Sequence, residues 1–284
     1  MPSAKSLPTE AEVIIIGGGI VGCSVAYHLA KKGVKDIVLL ERKQLTCGTT
    51  WHAAGLVSML WPTPTLTNLA KYCHELYNSL ESETGQATGY KRIGSVSLAR
   101  NSERLEELQR NSSMAKVFGV ESKMINNREL EDLYPGINTE GVIGSLYIQK
   151  DGQTNPIDTT MALAKGARDS GVQIIENSKV EDIILDGKKA VGVQCAQEKI
   201  KAKKVILTGG LWSREIARKV GVDLPLFACE HYYVVTEAIS SLTPRPVMRD
   251  FDKGIYFKED AGKMLIGWFE KNAIGCPMSR ISED

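Results

Sequence analysis

EVIIIGGGIVGCSVAYHLAKKG, residues 12–33, is the stretch on which the reading of the fold turns. Glu12 to Ile16 is a short β-branched run, which suits a strand buried on both faces of a parallel sheet. Gly17 to Gly22 reads as a turn. Ile20 to Lys32 then predicts a helix, with Val21, Val25 and Leu29 at helical spacing. Lys31, Lys32 and Gly33 suit its end, where cations meet the negative pole and a glycine follows. Ile37 to Leu40 is a second short apolar run, so strand, glycine turn, helix and strand make one βαβ unit.

Gly17, Gly19 and Gly22 spell GxGxxG between a strand and a helix, the context that the motif requires. Glycines there permit a tight turn and close approach of backbone to a pyrophosphate, which rests on the positive helix N-terminus. Glu41 closes the second strand 19 residues after Gly22, where a carboxylate bonds an adenosine ribose hydroxyl. The bland alternative is a ligand-free glycine turn beside a surface Glu; strand, turn, helix and acid together favour a dinucleotide site. The fold by itself does not choose between NAD and FAD.

Outward from this unit the pattern loosens. Pro62-Thr-Pro64 is a break, Leu66 to Glu83 reads as a helix, and Ser95 to Leu98 alternates like a half-buried strand. Glu103 to Lys116 puts Leu105, Leu108 and Met114 on one stripe of a surface helix, Pro135-Gly136 marks a turn, and a helix runs from Ile157 to Ser170 after Asn155-Pro156. From Gln173 to Leu207, short apolar runs separated by turns predict β hairpins and one last strand. Gly209-Gly210 follows, then a helix around Arg214 to Val220.

Composition bounds the class. In 284 residues, 43% are apolar and 24% charged, with a net charge of +1, which excludes a highly charged disordered tail and argues against a nucleic-acid partner. The most apolar stretch, Val13 to Ala30, is interrupted by four glycines and His28, so no membrane span is expected. The N-terminus MPSAKSLPTEAEV has one Lys and no apolar core, unlike a secretory signal or a transit peptide. Six cysteines form no CxxC pair and four histidines no HxxxH, so the expectation is reduced, mostly buried thiols and no metal site. His28 and His74 read as structural.

GTTWHAAG, residues 48–55, lies shortly after the ribose acid and is small, polar and bounded by glycine. Its amides suit a path along the phosphates toward the far ring, and His52 there is a nucleophile or a hydrogen-bond partner for that ring; a histidine bonded to backbone is the plain alternative. Together, IIIGGGIVGCSVAYHLAKKG, IVLLER and GTTWHAAG resemble the dimethylglycine dehydrogenase and sarcosine dehydrogenase family of D-amino-acid-oxidase-like FAD oxidoreductases. The resemblance continues through Gly89-Tyr90, Asp151-Gly152, Cys229 to Thr236 and Gly267 to Glu270. It implies FAD as cofactor, held covalently through His52. It further implies that Gly17, Gly19, Ile20, Val21, Gly22, Glu41, Arg42, Gly48, Thr49, Thr50, Trp51, His52, Ala53, Ala54, Gly55, Leu56, Val180 and Trp212 line it. Relatives often carry alanines where this chain has Thr208-Gly209-Gly210.

On the substrate side the resemblance matches His231 and Tyr256 to the family's amine-site pair. A histidine near neutral pKa suits holding or taking the amine proton, and a phenol suits orienting the amine or carboxylate. The plain alternatives are a histidine capping a strand and an aromatic in the core. The implied fold is α/β: a Rossmann-like FAD-binding domain of residues 10–80 and 148–224, beside a mixed-sheet α+β substrate-binding domain of residues 81–147 and 225–284. The family's closing FAD segment and folate-binding region lie beyond the substrate domain, so a C-terminally truncated form, with a pocket open on one side, is expected. The polar tail from Lys271 is expected to form no element. The implied activity is oxidation of an N-methylated amino acid, with electrons passing to an electron-transferring flavoprotein in the mitochondrial matrix. Three alternatives stay open: an oxidase that reduces oxygen, a truncated form without activity, and a non-catalytic regulator resembling the pyruvate dehydrogenase phosphatase regulatory subunit, suggested by LPT at 7–9 and ACEHYY at 228–233.

Overall fold

The computed structural model describes residues 7–281. Residues 1–6 and 282–284, the start of the N-terminal stretch and the end of the tail considered above, lie outside the described residues. In chain order the strands and helices begin with β1 (Glu10–Ile16), α1 (Ile20–Lys31), β2 (Ile37–Leu40), β3 (Leu56–Val57) and α2 (Pro64–Thr84). They continue with β4 (Ser95–Ala99), α3 (Ser102–Val117), β5 (Lys123–Ile125), α4 (Asn127–Leu133), β6 (Gly144–Ile148), β7 (Gly152–Gln153) and α5 (Pro156–Asp169). Then come β8 (Gln173–Ile175), β9 (Asp182–Asp186), β10 (Lys189–Cys195), β11 (Glu198–Leu207) and α6 (Ser213–Lys219). The last are β12 (Tyr232–Val235), β13 (Val247–Asp250), β14 (Ile255–Asp260) and β15 (Lys263–Trp268).

Two sheets organise the chain. The first has six strands in the order β8-β2-β1-β11-β10-β9. Its β8, β2, β1 and β11 run parallel, while β9 and β10 complete it as antiparallel hairpins. Alternation along β1 sends Val13 and Ile15 to one face and Ile14 and Ile16 to the other, and both faces are covered. The first face packs on α1 (Cys23, Ala26, Tyr27), α5 (Leu163, Ala164) and Leu76 and Leu80 of α2. Helix contact is close because Gly166 lies under the Tyr27 ring, where an added Cβ would come within 2.7 Å. The second face packs on Val193, Ile200 and Ile216.

The second sheet has seven strands in the order β12-β15-β14-β13-β4-β6-β5. It is mixed: β13 pairs parallel with β4 and its other pairs are antiparallel. This is the mixed α+β unit expected beside the Rossmann-like sheet. Ser95 to Leu98, expected half-buried, is instead a central strand whose Ser95, Val96 and Leu98 are all buried. A parallel neighbour on one side and an antiparallel one on the other close both edges, and core residues pack on both faces, Ala99 in one cluster and Val96 and Leu98 in the other.

Helix ends follow local chemistry. Thr63 caps α2 by accepting from the Leu66 N–H, and Gly85 ends it in the left-handed region at φ 70°. Asn155 caps α5, with Pro156 in its first turn. Asn126 and Glu129 form a capping box on α4, a helix that the sequence reading passed over. Two further expectations fail. Only Cys23 and Cys195 are buried, and Cys229 is exposed: Cys47, Cys229 and Cys276 lie between elements, and Cys73 sits on α2. The tail does form structure: the Glu230 N–H donates to Ile274 O, the Cys276 N–H to Ala228 O, and Met278–Arg280 is a 3-10 turn. Its polar side chains hid a backbone that had partners.

Candidate functional site

A cavity of about 660 Å³ opens at the carboxyl ends of β1 and β2. Its wall includes Gly17 and Gly19 of the glycine turn with Ile20 and Val21 at the start of α1, Glu41 and Arg42 beyond β2, Gly48 to Thr50, Val180, and Trp212 after β11. These come from five separate stretches of chain. Gly17 has φ 109°, and a Cβ there would lie 2.6 Å from Thr208 O. At Gly22 a Cβ would lie 1.9 Å from Gly17 O, so glycine lets α1 start hard against the turn.

The N-cap of α1 is Gly19, which has no side chain to cap it, and the first turn holds no acid. One amide there is engaged: the Ile20 N–H donates to Thr50 Oγ1 at 3.1 Å. Glu41 is 7% exposed. Its carboxylate accepts from the Gly18 N–H at 2.6 Å and the Lys43 N–H at 3.0 Å, so one side chain ties the glycine turn to the end of β2. The Thr208 hydroxyl donates to Ile16 O at 2.8 Å. The Arg42 guanidinium stacks 3.8 Å from the Trp212 ring centroid.

The other expected cofactor residues lie apart from this wall. Gly22 packs behind the turn, and Trp51, His52, Ala53, Ala54, Gly55 and Leu56 continue past the cavity toward the second sheet. His52 is exposed, with Nδ1 3.2 Å from Gly48 O and its ring 3.9 Å from that of Trp51.

On the second sheet, His231 Nε2 lies 3.3 Å from Tyr256 Oη. His231 also stacks on Phe269, ring centroids 4.4 Å apart, and Phe269 meets Tyr256 at 5.8 Å. Burial, with Tyr233 nearby, raises the Tyr256 phenol above its ordinary pKa, so it stays protonated and a donor at neutral pH. His231 is not a buried strand cap; it is exposed, just ahead of β12. His28 and His74 take structural places: His28 Nε2 pairs with Tyr72 Oη, and fully buried His74 pairs with Tyr90 Oη.

Sequence reasoning noted Gly267 and Phe269 only within a matching segment and gave them no role, and it missed Lys258 and the tail residues Met278 and Ser279 of the cavity wall. Gly267 carried a signal, since a glycine inside a strand marks a close approach.

A parallel sheet with a glycine turn, an uncapped helix N-terminus and an acid at the end of the next strand defines a dinucleotide-binding protein. The chain matches the family described as FAD dependent oxidoreductase over residues 12–282, and it belongs to that family. It is 40% identical over 280 residues to 4-methylaminobutanoate oxidase (formaldehyde-forming) of Paenarthrobacter nicotinovorans, covering 98% of this chain and 34% of the relative. It is 38% identical over 277 residues to human mitochondrial sarcosine dehydrogenase, covering 95% of this chain and 30% of the relative. The chain thus spans about a third of the length of these curated relatives. Among solved structures, L-proline dehydrogenase from P. horikoshii superposes with a TM-score of 0.89 at 25% identity, over 96% of this chain and 72% of that one.

The residues present fit FAD. Any Cβ at 17 or 22 would strike backbone and displace the turn, the N-cap of α1 is a glycine with no side chain in the way of a phosphate, and the cavity lies in the range of ligand sites.

Proposed function

We propose that this chain holds FAD in the β1–β2 cavity and that the whole protein oxidises an N-methylated amino acid. The observation that carries the reading is the convergence of the glycine turn, Glu41 and the uncapped α1 on one cavity. Gly17, Gly19, Ile20 and Val21 would hold the pyrophosphate, Glu41 the ribose, and Arg42, Val180 and Trp212 the flanks. Bound there, FAD supplies a two-electron acceptor for the hydride that leaves the N-methyl carbon.

The chain's own groups serve the amine. His231 takes or holds the ammonium proton, so that the nitrogen lone pair can assist loss of hydride. Tyr256 donates its O–H toward the amine or carboxylate. The aromatic faces of Tyr256 and Phe269 suit a methylated ammonium on arrival. The iminium product then hydrolyses, releasing formaldehyde. His52 is proposed as the covalent attachment point, supported by its place in the segment that leaves the cavity wall at Thr50. The electron acceptor is proposed to be an electron-transferring flavoprotein and the compartment mitochondrial; the support is likeness to the human relative named above.

Flavin fluorescence of the denatured, gel-separated chain tests this reading. A fluorescent band in the wild type that is lost in His52→Ala supports attachment at His52. Fluorescence that survives in His52→Ala places the linkage elsewhere. Yellow protein without a fluorescent band retains FAD binding and removes the covalent bond. Absence of flavin under all conditions favours a non-catalytic, regulatory role.

A further inference from the structure

Lys258 is a cation where cations are seldom found: its side chain is 3% exposed. It projects from β14 on the same face as Tyr256, two residues away. Its Nζ donates to Ala54 O at 3.0 Å and to Thr154 O at 3.3 Å, and pairs with Asp260 Oδ2 at 3.1 Å. An ammonium has three donors, and these three acceptors engage all of them. The group is therefore neither a proton donor in waiting nor a substrate ligand.

What it joins is specific. Ala54 lies two residues after His52, and Thr154 follows β7, the partner of β3. The Thr154 N–H donates to Gly55 O at 2.8 Å, and a Cβ at Gly55 (φ 74°) would lie 2.1 Å from Thr154 O. From the other side, Gln153, 2% exposed, donates its Nε2–H to Glu259 O on β14 at 2.8 Å. Two buried side chains thus reach in opposite directions across one seam, each bonding backbone that belongs to the other side.

We propose that Lys258 is a positioning residue that pins the segment carrying His52 to the strand carrying Tyr256. The pin fixes the spacing between the flavin attachment segment and the amine-site phenol. Its bearing on flavin attachment rests on the function proposed above, whereas the pin itself does not.

The test compares wild type, K258M and K258R of this chain by amide hydrogen exchange. K258M is expected to lose about tenfold or more protection at residues 53–57 and 152–155, while β1, β2 and β11 keep theirs and K258R restores it. Unchanged protection, or an equal loss in β1, overturns the proposal. The second readout is acid-stable flavin after incubation with FAD. A drop of about fivefold or more in K258M, rescued in K258R, supports positioning, and equal yields overturn it. If the wild type itself forms no acid-stable flavin, the His52 reading fails and the exchange comparison decides the pin. Should K258M not fold, K258Q, neutral with two N–H donors, is read in the same way.

Discussion

The ring of Tyr256 lies across the backbone of Gly267, its register partner on β15: a Cβ at 267 would fall 2.0 Å from Tyr256 Cζ. The phenol thus occupies the volume that any other residue's side chain would claim, which seats it against β15 on the side where His231 meets it.

Gly267→Ala is accordingly expected to displace the Tyr256 ring and break its contact with His231 Nε2. Overpacking of this kind costs about 1–3 kcal/mol, read as a lower urea midpoint. In the FAD-loaded whole protein, amine oxidation should fall further than stability does. A variant with wild-type turnover would remove Tyr256 from the amine site.

Glu41→Gln keeps the shape of the side chain and removes its charge. Hydrogen bonds to charged acceptors contribute about 1.5–3 kcal/mol, against about 1 kcal/mol for neutral ones. The Gly18 and Lys43 bonds should weaken together, and FAD affinity should drop about tenfold by fluorescence titration. Unaltered affinity would mean that Glu41 serves the turn alone.

Gly22→Ala drives a methyl group toward Gly17 O, 1.9 Å from its built position, with Thr208 Oγ1 at 2.8 Å. α1 must retreat from the turn. Loss of FAD binding is expected, together with a destabilisation of about 2 kcal/mol or more in chemical denaturation.

His74 gives a pH signature. Burial, helped by the charge of Arg92, lowers its pKa from 6.5 to about 4. The folded chain therefore holds it neutral while the unfolded chain takes up a proton, so stability falls as pH drops from about 6.5 to about 4. The full fall is about 3 kcal/mol, at 1.36 kcal/mol per pKa unit. Thermal melts of wild type and His74→Asn across this range should converge toward acid. Parallel curves would show that His74 titrates normally.

What the sequence made legible was whatever rests on neighbours along the chain. Residues 12–41 announce strand, turn, helix and acid because one local geometry uses them all, and the hairpins of β9, β10 and β11 appear through alternation and turns. The second sheet was harder because its pairs join distant segments: β13 lies parallel to β4 with Arg249 opposite Ser97, and no local periodicity encodes that partner. At the site, the cavity wall could be read from glycines and a carboxylate. The seam held by Lys258 and Gln153 could not, since both bond backbone carbonyls, which every residue possesses.

The order of strands in the first sheet also has a consequence for how the chain is made on the ribosome. β1 sits between β2 and β11, and Glu10 lies opposite Lys201. At roughly 5–20 residues per second, the side of β1 that will receive β11 waits roughly 10–40 s for its partner to emerge. Throughout that interval the edge of β1 has unpaired backbone N–H and C=O groups between two apolar faces. The cavity at the end of β1, whose wall includes Thr208 just past β11, is therefore completed late in synthesis.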